Sequence, residues 1–96
     1  MSPLKRKKLS KIRFELDKLD NILIKIIKKR TILVNKVLAL KERKNQIVDQ
    51  KRIRKILLNI KSKSIKNKID PKITNRIWKN MIWSYIDYEK RNFKKK

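Results

Sequence analysis

Ten positions spaced alternately by three and four residues run through the first half of the chain. They are Leu9, Ile12, Leu16, Leu19, Leu23, Ile26, Arg30, Leu33, Val37 and Leu40. That is the repeat of a helix packed along one seam. Neither proline nor glycine interrupts it, so the spacing predicts one helix from about Leu4 to Arg43. At 1.5 Å per residue such a helix is roughly 55–60 Å long. A compact chain of about 100 residues has a radius of gyration of only about 13 Å. The rest of a 96-residue chain cannot cover the seam, so the seam calls for a second chain.

The break falls in KERKNQIVDQ, residues 41–50. Asp49 is a suitable N-cap for a second, shorter helix from Gln50 to about Ser62, with the apolar stripe Ile53, Ile56, Leu57 and Ile60. The polar stretch KSKSIKNKI, Lys61–Ile69, reads as a loop. Asp70-Pro71 then supplies an N-cap and a proline at the first helical position. The third helix is expected from Pro71 to about Phe93, with Ile73, Ile77, Met81, Ile82, Tyr85 and Ile86 facing inward. Trp78 and Trp83 read as packing anchors. The expectation is an all-α chain of three helices forming a single domain over residues 1–96. Residues 1–8 are a basic N-terminal extension and Lys94–Lys96 a frayed basic tail.

Composition narrows the chemistry. There is no cysteine and no histidine. That removes disulfides, thiolate zinc sites, the usual general base and the Ser-His-Asp triad. Catalysis by this chain has to rest on arginine, lysine, carboxylates and hydroxyls, and neither metal nor cofactor is expected. The net charge of +23 invites a nucleic-acid reading. However, lysine, isoleucine and asparagine have A/T-rich codons, whereas glycine is absent and alanine occurs once, at Ala39. Base composition alone therefore inflates the lysine count, and nucleic acid is not the expected partner. The basic field would still draw in a small anion. No uninterrupted apolar run follows the basic N-terminus, so neither a signal peptide nor a membrane span is expected, and a cytoplasmic location is the default.

Arg30 breaks the seam. A guanidinium in an apolar stripe is costly unless an anion pairs with it. An internal carboxylate is one candidate and a bound anion the other. Lys41 favours the second, because it lies eleven residues on, only about 20° off the same face and about 16 Å along the helix. Two long side chains could grip one small anion from both ends.

The pattern IRFELDKLDNILIKIIKKRTILVNKVLALK, then IVDQKR, then IDPKI and a terminal helix resembles the all-helical chorismate mutases, the AroQ class, from about Leu9 to Phe93. The resemblance implies an intertwined homodimeric helical bundle that converts chorismate to prephenate on the way to phenylalanine and tyrosine. It implies that Arg13 and Arg30 bind substrate carboxylates. Lys41 would contact a carboxylate and the breaking ether oxygen, and Arg52 would support the carboxylate end. Asp49 and Ile53 fall where the family holds the ring hydroxyl. Arg13 and Arg30 are about 25 Å apart along one helix, so Arg13 would reach a shared ligand only from the partner chain. Such a rearrangement is unimolecular and needs no nucleophile, which suits a chain without histidine.

Three positions depart from the commonest family pattern. Ile53 stands where a glutamate usually accepts from the ring hydroxyl, and Tyr85, just after Ser84, where a serine is usual. Glu89 stands where many members carry a glutamine that donates to the ether oxygen. A carboxylate cannot donate, so Glu89 can do this work only when protonated, a state that burial and a bound dianion favour and Lys41 opposes. The other reading of Glu89 is a surface acid near the end of the last helix. Ile53 and Tyr85 also suit the related isochorismate-pyruvate lyases, so that activity is an alternative. A non-enzymatic basic helical protein that binds nucleic acid or a partner helix is the other.

Overall fold

The computed structural model describes residues 1–95. Three helices follow in order: α1 (Pro3–Leu40), α2 (Gln50–Lys66) and α3 (Pro71–Asn92), with a 3-10 turn at Lys44–Gln46 between the first two. There is no strand among the described residues. The chain divides into two compact units, Met1–Leu33 and Val34–Lys96.

The first unit is helix alone. Ser2 starts it, because Lys5 N–H donates to Ser2 Oγ at 3.2 Å, and Pro3 fills the first helical position. Along this unit the seam is open. Leu19 and Leu23 are 55% and 53% exposed, and Ile12, Leu16 and Ile26 are comparable. Among the described residues, none covers these positions of the stripe that the spacing marks out.

The second unit holds the core. Leu38 from the end of α1, Ile47 from the connection, and Ile82 and Ile86 of α3 form it, flanked by Val48, Ile53, Ile56, Leu57 and Phe93. The α2 stripe at i, i+3, i+4 and i+7 is half-buried as its spacing requires. The capping expectations hold for both later helices. Asp49 Oδ1 accepts from Arg52 N–H at 3.0 Å, and Asp70 Oδ1 accepts from Lys72 N–H at 2.9 Å.

Several boundaries and faces differ from the sequence reading. Helix α1 stops at Leu40, not Arg43, because Gln46 Oε1 accepts from both Glu42 N–H and Arg43 N–H at 2.8 Å. Those donors are thereby diverted from a further helical turn. Helix α2 runs through Ser62 to Lys66, so most of the stretch read as a loop is helical. Its polar residues suit a helix because Ser64 is buried against α3, 2.6 Å from Thr74 Oγ1 and 2.6 Å from Ile60 O. Ile73 and Ile77 do not face inward within the described chain and are about half exposed, and Trp83 is also exposed, whereas Trp78 is half-buried. Lys94 and Lys95 have no regular structure, and Lys96 of the tail lies outside the described residues.

The turn after α2 contains a non-glycine residue with positive φ, Lys68 at 58°. Lys68 N–H donates to Ile65 O and Ile69 N–H to Ser64 O, the paired bonds of a Schellman cap. A left-handed residue with a Cβ costs about 1–2 kcal/mol. Part of that is offset in a glycine variant by the extra freedom of its unfolded chain. Lys68→Gly is therefore expected to raise stability by about 0.5–1 kcal/mol, read as a higher thermal midpoint. An unchanged or lower midpoint would show that the cap is not strained.

Candidate active site

The stripe that builds the α3 core continues past Ile82 and Ile86 to Glu89, at i, i+4 and i+7. An apolar residue is expected at that level, and an acid occupies it. Glu89 is buried, which overturns its reading as a surface acid. Lys41, just beyond the last residue of α1, meets it, with Nζ donating to Glu89 Oε2 at 2.9 Å. The two side chains are 18% and 9% exposed. A charge pair this enclosed recovers its desolvation cost only through good geometry and further hydrogen bonds. Replacing such a pair with apolar groups often leaves a fold as stable or more so. Its presence next to an aliphatic core is therefore not explained by packing alone.

Neighbouring contacts fix the elements that carry the pair. Tyr88 Oη donates to Asn35 Oδ1 at 2.8 Å, tying α3 to the last turns of α1 one residue away from Glu89. The Tyr85 ring meets the Tyr88 ring edge-on with centroids 6.5 Å apart. Tyr85 is half-buried and Ser84 exposed.

The start of α2 brings further polar groups. Asp49 spends one carboxylate oxygen on the Arg52 backbone, and its carbonyl accepts from Ile53 N–H at 3.0 Å. The Asp49 and Arg52 side chains are exposed, while Ile53 is half-buried against the core cluster. Ile53 thus has a packing role of its own. The Met1–Leu33 unit carries the two remaining arginines singled out by the sequence. Arg13 is exposed, and Arg30 is half-buried with its Nε shielded from solvent.

The second unit thus brings Lys41 and Glu89 into contact, and Asn35 and Tyr88 were not anticipated from the sequence. A tyrosine one position from Glu89 gave no signal by itself, because its partner lies 53 residues away on another helix. No described helix is long and apolar enough to cross a membrane. No group of three or more acids that could hold a metal ion occurs among the described residues. Among known families, the sequence model described as chorismate mutase type II matches residues 12–90. Neither a curated protein nor a solved structure matches the chain.

Proposed function

We propose, since the chain belongs to the chorismate mutase type II family, that it rearranges chorismate to prephenate in a pocket built around Lys41 and Glu89. The buried Lys41–Glu89 pair carries this reading. In the reaction the ether C–O bond breaks as a new C–C bond forms, with no proton, nucleophile or redox partner consumed. The protein has to hold a dianion in its compact conformer and stabilise negative charge on the ether oxygen. Lys41 supplies a cation with three donors, enough to serve a substrate carboxylate and the ether oxygen together. Arg52, Asp49 and Ile53 border the ring, and Tyr85 lines the site one turn before Glu89. Arg13 and Arg30 are assigned to the substrate carboxylates by their match to the family pattern. Arg13 comes from the partner chain of a homodimer, whose seam is the apolar stripe of α1. Even a ~10⁶-fold acceleration corresponds to about 8 kcal/mol, within reach of several charge-assisted hydrogen bonds.

In the free protein Glu89 accepts from Lys41. The dianion takes Lys41 for itself, which frees Glu89 to face the ether oxygen. A carboxylate cannot donate to that oxygen, whereas a glutamine amide can. Glu89→Gln is therefore expected to keep activity, with kcat at or above that of the parent protein. A loss of about 10²-fold or more, the scale of losing a group that touches the developing charge, would show that the carboxyl itself is needed. Release of pyruvate from isochorismate, with no prephenate from chorismate, would instead favour the lyase that Ile53 and Tyr85 also suit.

A further inference from the structure

The far end of the α2–α3 hairpin carries a groove with a chemistry of its own. Leu57 and Leu58 of α2 and Pro71 of α3 form its apolar floor, and Arg54, Lys61 and Lys72 its rim, around a cavity of about 520 Å³. All six belong to the Val34–Lys96 unit. No described residue lining the groove is acidic, and none of the three cations is ion-paired among the described residues. Leu58, 68% exposed, is an aliphatic side chain set between cations at i−4 and i+3 on a helix.

Size and rigidity narrow the occupant. The α2 share of the groove runs from Arg54 to Lys61, about 10 Å along the axis. That suits a small molecule better than a helix needing several turns of contact. The volume falls in the range of small-ligand cavities, roughly 300–1,000 Å³. The floor is preformed, since the Ser64–Thr74 contact, the Schellman cap and Pro71 fix the hairpin immediately beside it. An apolar floor whose charged groups are all cations, with the neutral Asn75 beside them, selects a ligand that is apolar in its body and anionic at one end. We propose that this groove binds a small carboxylate with an apolar body. The site is separate from the Lys41–Glu89 pair and does not rest on the proposed reaction.

The test is an amide-resolved NMR titration of the full-length chain with octanoate, using octylamine as the charge-reversed control. Saturable shifts are expected at Arg54, Leu58, Lys61 and Lys72 with octanoate, and none there with octylamine. Leu58→Glu, at an exposed helix position, is expected to fold normally and to weaken octanoate binding by about tenfold or more, equivalent to at least 1.4 kcal/mol. Its chorismate turnover is expected to match that of the parent chain. Lys61→Met with Lys72→Met is expected to weaken binding as well. Equal binding of octylamine, non-saturating shifts spread over the basic helices, or unchanged octanoate affinity in Leu58→Glu would each overturn the proposal. So would an acidic amphipathic peptide that occupies the groove while octanoate leaves it unperturbed.

Discussion

Replacing Lys41 with alanine is expected to lower kcat/KM for chorismate by about 10³-fold, the scale of losing one preorganised donor to developing negative charge, about 4 kcal/mol. The substitution also has a structural cost. It leaves Glu89, 6% exposed, without its cation. Breaking an enclosed pair from one side destabilises by about 3–5 kcal/mol. Adding Glu89→Gln to Lys41→Ala separates the two effects. A neutral amide needs no counter-charge, so the double variant is expected to recover most of the lost thermal midpoint while its activity stays down. Recovery of activity together with stability would make Lys41 a structural residue and sink its catalytic role.

The second large effect concerns the open seam of α1. Leu19→Lys with Leu23→Lys puts two cations per chain into the stripe, four in a homodimer. Both positions are more than half exposed in the chain by itself, and lysine is a good helix former. Neither the helix nor the core around Leu38 and Ile82 should suffer. The expected result is a monomer by sedimentation, with helix content kept in the Val34–Lys96 unit and chorismate turnover reduced by at least about 10²-fold, because Arg13 would no longer be supplied. A variant that is monomeric yet fully active would remove the partner chain from the site. A variant that remains dimeric would show that the seam is not the interface.

How far the sequence could be read depended on whether a signal was local. The α1 helix, the caps at Asp49 and Asp70, and the α2 stripe follow from spacing and side-chain chemistry within a few residues, and the structure bears them out. The end of α1 did not, because Gln46 reaches back to Glu42 and Arg43, a competition that periodicity does not register. Helix α2 extends to Lys66 because Ser64 meets Thr74 ten residues on, and a polar run gives no hint of that contact. Ile73 and Ile77 have the right period for a core but no described neighbour over them, since period shows which face is apolar and not what covers it. At the site, Glu89 was singled out by the resemblance alone, as an acid where many members of the family carry a glutamine, and its pairing with Lys41 agrees with their expected proximity. The Asn35–Tyr88 bond needed the fold, being a contact between helices far apart in sequence.

The central claim is that the pocket built around Lys41 and Glu89 rearranges chorismate. The most direct test follows purified protein on chorismate, measuring prephenate and pyruvate from mildly acidic to alkaline pH. Prephenate is expected well above the uncatalysed rate, with no pyruvate. Prephenate at no more than the uncatalysed rate at every pH would contradict it.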